Sequence, residues 1–442
     1  MEHRERVYTW PGDDLNSKVQ NLGAGDTLLL RDGFYYGSLL IDGVHGNKRA
    51  AITIKAEHDG KAIIDGRGDA TPLHIMNSSF LTIEGLVARN GGPEVVPVHN
   101  SNNITVRRVT ASHAGPGNEH IFDVKFGSHH VLIEDCAGWG RGRFIFIAYH
   151  ATHVTFRRTW ARWTDQTHFS PAPRSAYSVY GSSYVTLENV IGYNVLPPRE
   201  ETDYFTAVWQ TSDGPATDHI HYYGGMFFNN WEGLWVNDLS QSQDTVFINC
   251  YFGNAHRQGP YTTNREHGDG LMWKAATGGI ISNSTFVNNE TGFRVHAGSP
   301  TVHSSVFYKN DRAIAGKSVY SYIDYWQNSS NGMKADTTDK QADPGYDRAK
   351  HGQGAYLFIP PTSPLKQAGQ RGTDIGANII YCYQDGALTN RALWPWPMED
   401  RIKTETGYSV TWESGGGFWK TLDRVYDTPF TPTVSPAISQ YH

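Results

Sequence analysis

The chain has 442 residues, of which 38% are hydrophobic, and it contains 46 glycines and 21 prolines. This composition is too rich in glycine for a mainly helical or doubly wound fold, and it favours many short strands joined by turns. The net charge of -6 comes from 38 basic and 44 acidic residues with no basic run, so we expect no nucleic-acid partner. No stretch of about 18 apolar residues occurs, so the sequence predicts no membrane-spanning segment.

The first predicted elements are a short helix over residues 15–22 and a strand-rich segment that reads GDTLLLRDGFYYG. Residues 51–66 continue the same pattern of short apolar strands and turns. A helix at the start of a repetitive β-structure has a physical purpose, because an uncovered end exposes apolar side chains and unpaired strand groups. We therefore expect this helix to cap the core.

Five strand-like segments then carry a charged residue at one matched position, and its sign alternates from each segment to the next. The five residues are Glu84, Arg107, Glu134, Arg157 and Glu188, at intervals of 23, 27, 23 and 31 residues. Strands stacked in a parallel sheet lie about 4.8 Å apart, so alternating charges in one column would pair between neighbouring coils. The pattern predicts a parallel β-helix, in which each coil packs on its neighbours.

The predicted architecture is an all-β solenoid of about 10–12 coils, with an N-terminal capping helix and a C-terminal extension. We assign residues 1–377 to the β-helix with its cap, residues 378–425 to an extension that packs on the helix, and residues 426–442 to a linker-like tail rich in Pro, Thr and Ser. Insertions commonly gather on the binding face of a solenoid. Four of them are expected to form the walls of a cleft, at residues 112–121, 162–176, 195–206 and 253–270.

Two successive coils carry the strongest chemical signal. In the segments EHGDGLMWKAA and TGFRVHAG, strand alternation places Lys274 on one coil and Arg294 and His296 on the next, all pointing out of the core. The preceding loop is expected to bring three further polar residues to this point, namely Glu266, His267 and Asp269. The alternative is that Lys274 and Arg294 form one more solvated charge pair.

Other residues are candidates for contact with a substrate. Asp123 and Lys125 in FDVKF form a second groove position, although they could equally be a salt-bridging pair. Several aromatic residues fall at similar places in their coils, where they would stack on sugar rings if they point out or fill the core if they point in. They are Tyr149, Tyr180, Trp209, Trp235 and Trp273.

The segments GDTLLLRDGFYYG near the start and SPL, AG and DIGA within residues 342–377 resemble the first and last coils of right-handed parallel β-helix proteins of the pectate-lyase-like superfamily. The succession of Lys274, Arg294 and His296 resembles the layout of the chondroitinase B and alginate lyase family. GDGLMWK is similar to the coil of pectate lyases that use lysine as a base. The chain departs from both patterns, because it reads Phe-Arg-Val-His-Ala-Gly where the first family has Leu-Arg-His-Gly, and its lysine is displaced by two positions from the second motif.

The resemblance implies an enzyme that binds a linear, acidic polysaccharide in a groove and cleaves a uronate-containing glycan by β-elimination. Lys274 would be the base, and Arg294 or His296 would stabilise charge or donate a proton. A glycoside hydrolase on the same scaffold is an alternative that needs two carboxylates about 5–10 Å apart. The available residues are Asp123, Asp238, Glu266 and Asp269. A non-catalytic glycan-binding surface or phage tail β-helix is the third possibility.

The resemblance also implies calcium, which many lyases of this superfamily use to bind the uronate carboxylate. The carboxylates best placed to hold it are Asp238, Glu266 and Asp269, since oxygen ligands suit this ion. We expect a monomer or a trimer. We also expect a secreted or cell-surface protein, with its signal peptide absent from this sequence, because large glycans lie outside cells.

Overall fold

A computed structural model describes residues 5–163, 173–195, 205–236, 244–256, 268–275 and 277–408. The chain forms two compact units, each made of parallel strands. Unit 1 comprises Met1–Val185 and Gly192–Thr217, and unit 2 comprises Thr186–Ile191 and Asp218–His442. Three kinds of strand, here called A, B and C, follow one another in each coil.

Unit 1 contains seven complete strands of type A, six of type B and seven of type C within the described residues. The A strands are Arg6–Thr9, Thr27–Leu30, Ile52–Ala56, Ser79–Glu84, Asn102–Arg107, His129–Glu134 and Thr152–Arg157. The B strands are Gly33–Tyr36, Ala62–Asp65, Val87–Arg89, Thr110–Ser112, Ala137–Gly140 and Trp160–Trp163. The C strands are Leu39–Asp42, Leu73–Met76, Val96–His99, His120–Lys125, Phe144–Tyr149, Arg174–Tyr180 and Phe205–Thr211.

Unit 2 repeats the same order of strands. Its A strands are Asp218–Tyr223, Thr245–Ile248, Gly279–Ser282, Thr301–His303 and Val319–Ser321. Its B strands are Met226–Phe228, Tyr251–Gly253, Thr285–Val287, Val306–Tyr308 and Asp324–Trp326, and its C strands are Glu232–Val236, Asp269–Trp273, Thr291–Val295 and Arg312–Ala315. Two further strands, Ser183–Glu188 of type A and Ile191–Tyr193 of type B, have residues in both units.

Apolar side chains stack in columns inside the coils. In unit 1, Ile104 pairs with Leu81 on one side and with Val131 on the other, and Val131 pairs with Val154. All four are at most 2% exposed. The period of two within a strand and the repeat from coil to coil therefore build one continuous core in the unit, and the predicted fold class is confirmed: the protein is an all-β, right-handed parallel β-helix.

The helix near the N-terminus spans Leu15–Gln20, two residues shorter than predicted. Asp14 caps it by accepting a hydrogen bond from the backbone N–H of Ser17. Leu15 and Val19 are buried, so one face of the helix covers apolar surface at the first coils.

The alternating charges form the predicted column. Arg107 pairs in register with Glu84 and Glu134, and Glu134 pairs with Arg157. A fifth charge extends the column, because Lys55 pairs with Glu84. Glu134 lies 3.7 Å from the side-chain nitrogens of both Arg107 and Arg157. Glu188 belongs to unit 2, where its carboxylate accepts a hydrogen bond from the backbone N–H of Gly386.

The segment after the last coil is mostly irregular. It contains the helices Arg348–His351 and Glu399–Thr406, the 3-10 helices Gly352–Leu357 and Gln370–Gly372, and a hairpin of Tyr381–Gln384 with Ala387–Ala392. Tyr383 of the hairpin is buried against Tyr223, Val246 and Ile248 of the unit 2 A strands. The backbone N–H of Tyr383 also donates to the side chain of Asn189. Residues 409–442, which include the predicted tail, lie outside the described residues.

Among the described residues, no helix has the length and apolar character needed to cross a lipid bilayer.

Reversing the charge at the centre of the column should destabilise the protein. In Glu134→Lys the new ammonium faces Arg107, Arg157 and Arg158 at once, so we expect the free energy of unfolding to fall by about 1–2 kcal/mol. Urea denaturation measures the change. Asp69→Lys, on an exposed turn, is the control and should have little effect. Equal losses in the two variants would contradict a stabilising column.

Candidate functional site

The C strands of unit 1 carry an interruption that changes which side chains face outward. The ladder between His120–Lys125 and Phe144–Tyr149 omits Ile121 and Ile145, which are both fully buried. Strict alternation counted back from Lys125 would turn His120 into the core. Ile121 and Phe122 are both fully buried, so the alternation breaks between them, and His120 lines the same outer pocket as Lys125.

This pocket has a volume of about 360 Å³, within the usual range for a small-ligand site. We call it the C-strand pocket. Its charged and aromatic lining comes from three successive C strands and two turns, and includes His120, Lys125, Arg143, Tyr149, Tyr180 and Asp213. The structure thus brings together three candidates for contact with a substrate, Lys125, Tyr149 and Tyr180, with three residues whose role was not predicted.

A cluster of buried charges holds Lys125 at the pocket. The Lys125 ammonium lies 2.6 Å from Asp123 and 2.9 Å from Glu94, so the predicted Asp123–Lys125 pair is also a salt bridge. Burial raises the pKa of Asp123 to about 6. Burial alone would lower the pKa of Lys125, but the charges of Asp123 and Glu94 outweigh it and raise that pKa. Lys125 therefore stays cationic at neutral pH.

His120 is a neutral imidazole at the pocket wall. It is 2% exposed and stacks on Phe144, with ring centroids 5.1 Å apart. Burial, followed by the nearby charges of Lys125 and Arg143, holds the pKa of His120 well below its usual range. Its Nδ1 atom is buried and has no hydrogen-bond partner among the described residues. The uncharged imidazole is the form that can accept a proton, and its lowered pKa makes it a weaker base than an exposed histidine.

Two phenols continue the row that begins at Lys125, because Tyr149 pairs in register with Lys125 and Tyr180 pairs with Tyr149. The hydroxyl of Tyr149 donates to Asp213 at 2.8 Å, and this hydrogen bond raises the pKa of Tyr149. Burial raises the pKa of Tyr180 to about 12. The rings lie 6.3 Å apart on paired positions of neighbouring strands. Both phenols therefore keep their protons at neutral pH and can donate them.

The guanidinium of Arg143 supplies the second cation of the pocket. It donates to the side chain of Asn118 at 2.7 Å and to the backbone carbonyl of Pro173 at 3.1 Å. These bonds come from two different turns, so the group is fixed in place. A fixed guanidinium beside Lys125 suits a carboxylate ligand.

In unit 2 the register of the strands places Lys274 beside His296 and not beside Arg294. Arg294 pairs in register with Met272, not with Lys274. The Lys274 ammonium lies 4.8 Å from the ring centroid of Trp235. The hydrogen bonding between the two strands continues past their ends, because the backbone N–H of His296 donates to the carbonyl of Trp273. Lys274 thus has His296, which is exposed, as its neighbour on the next coil. The catalytic roles of these residues stay predictions.

Arg294 is held by Asp269 in a two-pronged ion pair, with distances of 2.5 and 2.8 Å. Asp269 was expected on a loop, and this was wrong: it opens the strand Asp269–Trp273 and is fully buried. Burial raises the pKa of Asp269 although Arg294 opposes the change. Glu232, at the matching position of the preceding coil, is also fully buried, and burial raises its pKa well above the usual range.

The remaining predicted residues fall into two groups. The indoles of Trp209 and Trp235 are 6% and 1% exposed, so neither presents an open face for stacking on sugar. Trp209 lies against the phenol of Tyr180, at the edge of the C-strand pocket. Asp238, Glu266 and His267 lie outside the described residues.

Two described carboxylates at the predicted sites, Asp269 and Asp123, are already bound to cationic side chains. Both oxygens of Asp269 face the guanidinium of Arg294. Glu94, His99 and Asp123 have ligand atoms within 4.8 Å of one another, but the Lys125 ammonium already lies between the two carboxylates. Calcium also prefers six to eight oxygen ligands to a site with an imidazole. The expectation of calcium therefore depends on Asp238 and Glu266, and it stays a prediction.

Removing the guanidinium of Arg294 should leave a buried carboxylate without its cation. We expect Arg294→Ala to lower the free energy of unfolding by about 3–5 kcal/mol at neutral pH. The loss should shrink in acid, where Asp269 is protonated. Denaturation of this variant beside the exposed Arg391→Ala measures the difference. A stability equal to that of the control would show that the pair is not structural.

The raised pKa of Asp123 predicts a pH dependence of stability. The folded value of about 6 lies above the ordinary value of 3.8, so the folded protein binds the proton more tightly than the unfolded chain. Relative to Asp123→Asn, the wild type should therefore lose stability as the pH rises from about 4 to about 6. Denaturation curves across this range measure the difference. A constant difference would mean that Asp123 does not titrate there.

Comparisons with known proteins agree with this fold. Residues 11–121 match the sequence profile of the family described as Chondroitinase B. No curated protein matches the chain. The structure described as the complex structure of XylC with xylose is similar to 78% of this chain and 87% of its own, at 8% identity and a TM-score of 0.55.

Two lyase structures are also similar, at lower scores. Pectate lyase Pel9A matches 84% of this chain and 95% of its own, at 13% identity and a TM-score of 0.48. The PL6 family alginate lyase AlyGC matches 85% of this chain and 58% of its own, at 13% identity and a TM-score of 0.46. The chain thus shares the parallel β-helix fold with a solved structure, and its residues 11–121 resemble the family described as Chondroitinase B.

Proposed function

We propose that this protein binds a linear, uronate-containing polysaccharide in the C-strand pocket and cleaves it by β-elimination. The observation that carries the proposal is the meeting of two cations, a neutral imidazole and two protonated phenols in one pocket. The similarity of residues 11–121 to chondroitinase B supports the same reaction class. A polymeric substrate of this kind lies outside cells, so we also propose a secreted or cell-surface location.

Each requirement of the reaction has a candidate group in the pocket. Lys125 and Arg143 neutralise the uronate carboxylate, which makes the proton at C5 more acidic. His120 accepts this proton. The electrons of the C5–H bond form the C4–C5 double bond as the C4–O bond breaks, and the leaving oxygen takes a proton from the phenol of Tyr149 or Tyr180. Exchange with water then returns both groups to their starting states.

The two candidate sites offer different bases, which are His120 in the C-strand pocket and Lys274 in unit 2. In unit 2, Arg294 is bound to Asp269, as Lys125 of unit 1 is bound to Asp123 and Glu94. In unit 1, the arginine, the lysine and a proton acceptor line one cavity. The geometry of the described residues thus supports His120 better than Lys274 as the base, and variants of both residues can decide between them.

A glycoside hydrolase is the second candidate, because of the two neighbouring carboxylates of unit 2. Glu232 and Asp269 occupy matching positions on adjacent strands, which lie about 4.8 Å apart in a sheet. The raised pKa of Glu232 would keep it protonated as a general acid, with Asp269 as the second carboxylate. This reaction would release reducing ends without forming a double bond.

The two reactions can be separated with purified protein and a panel of alginate, polygalacturonate, chondroitin sulfate and neutral xylan. Elimination forms a conjugated double bond that absorbs in the ultraviolet, and hydrolysis does not. We expect ultraviolet-absorbing products from at least one uronate polymer and none from xylan. New reducing ends without this absorbance would favour the hydrolase, and no cleavage of any polymer would favour a glycan-binding protein.

Single substitutions in the pocket should abolish elimination without unfolding the protein. We expect His120→Gln and Tyr180→Phe to lower kcat by about 100-fold or more, because each removes a proton-transfer group. The matched controls are His153→Gln and Tyr184→Phe, which change the same residue types on the A strands of unit 1. Full activity in the pocket variants, together with its loss in Lys274→Ala, would move the active site to unit 2.

A further inference from the structure

Two aromatic rings stand on the outer face of the first B strand, Gly33–Tyr36. Phe34 is 43% exposed and Tyr36 is 59% exposed, whereas Tyr35 between them is buried. The two exposed rings are nearly parallel, at 14°, with centroids 6.2 Å apart. Exposed aromatic rings on a flat sheet are costly in water, and a pair of them commonly marks a binding surface.

An arginine on the next coil covers one of these rings. The guanidinium of Arg67 lies 3.7 Å from the ring centroid of Tyr36, and its side chain is exposed. Arg67 adopts a left-handed conformation with φ of 56°, which is unfavourable for a residue other than glycine. Its backbone N–H donates to Asp65 at 3.0 Å, and this bond supports the turn. The strained turn therefore keeps a cation beside the exposed rings.

A second arginine lies beside the other ring. The guanidinium of Arg89 is 5.3 Å from the ring centroid of Phe34, and its Nε atom is 2.8 Å from Asp65. Asp65 thus neutralises Arg89. Within the described residues the guanidinium of Arg67 forms no ion pair, so one positive charge of this surface remains for an external anion.

We propose that Phe34, Tyr36, Arg67 and Arg89, here called the aromatic platform, form a second binding site for an acidic polysaccharide. The apolar face of a sugar ring would stack on Tyr36 or Phe34, and its carboxylate or sulfate would pair with Arg67. The platform shares no residue with the C-strand pocket. It rests on the proposed substrate class but not on the proposed catalysis, because a platform of this kind would hold the polymer without cleaving it.

The charge of the platform selects among possible partners. An uncompensated guanidinium beside exposed rings favours an anionic ligand with apolar faces over a neutral glycan. A nucleic acid is also anionic, and the net charge of -6 opposes both kinds of polymer at long range. The proposed substrate class therefore decides for an acidic sugar polymer, and DNA serves as a competing probe.

Affinity electrophoresis in native gels tests the platform with alginate, chondroitin sulfate, neutral dextran or single-stranded DNA in the gel. To keep the polymer intact, the tests use the His120→Gln background. We expect retardation by at least one acidic polysaccharide, and no retardation by dextran or DNA. The double variant Tyr36→Ala/Arg67→Ala should weaken the apparent affinity by about tenfold, since a stacking contact and a charge contact are both lost.

The matched control is Tyr184→Ala/Arg49→Ala, which removes an exposed tyrosine and an exposed arginine elsewhere in unit 1. It should bind as the parent does. Unchanged retardation of the platform variant, retardation by DNA alone, or no retardation by any acidic polysaccharide would overturn the proposal. This outcome can be told apart from that of the elimination assay. If the platform binds an acidic polysaccharide but the protein cleaves none, only the proposed catalysis is refuted.

Discussion

Parallel hydrogen bonding between successive coils is the constraint on which the structure depends. It places each side chain directly above the side chain at the same position of the next coil. The two side chains are about 4.8 Å apart, so each one must be compatible with its neighbour. Apolar columns such as Leu81, Ile104 and Val131 then form a core, and like charges in a column would repel. In this chain the sign of the charge alternates along the column from Lys55 to Arg157, which avoids this repulsion.

The same register concentrates functional groups. A residue on one coil is close to residues that lie some 25 positions away in sequence, and three coils are enough to line a pocket. In unit 1 this brings His120, Lys125, Tyr149 and Tyr180 together. The low polarity of the core behind them shifts their protonation, because burial keeps His120 neutral while two carboxylates keep Lys125 charged. The stacking of the coils thus determines both where these side chains lie and which of them are charged.

The sequence was informative wherever the repeat is regular. The charge column and the inward apolar residues could be predicted because both follow a period of two within a strand and recur from coil to coil. The pocket could be predicted only in part. Lys125 and Tyr149 follow the alternation, but His120 faces the pocket because two successive residues, Ile121 and Phe122, are both buried. A run of apolar residues in the sequence does not show where the alternation breaks.

Long-range pairing explains the other differences. Asp269 was expected on a loop because it falls within the insertion at residues 253–270, yet it begins a strand and holds Arg294 on the next coil. The pairing depends on which residue of one coil lies beside which residue of the next, and this register is set by backbone hydrogen bonds that composition does not reveal. The turn that contributes Asp213 to the pocket was unpredictable for the same reason.

The central claim is that the C-strand pocket receives a uronate beside two cations and a neutral imidazole. A crystal structure of the His120→Gln variant with a uronate oligosaccharide tests it most directly. The account predicts a sugar carboxylate within hydrogen-bond distance of Lys125 or Arg143, with the glycosidic oxygen next to Tyr149 or Tyr180. An oligosaccharide bound beside Lys274, with the C-strand pocket free of sugar at saturating ligand, would contradict it.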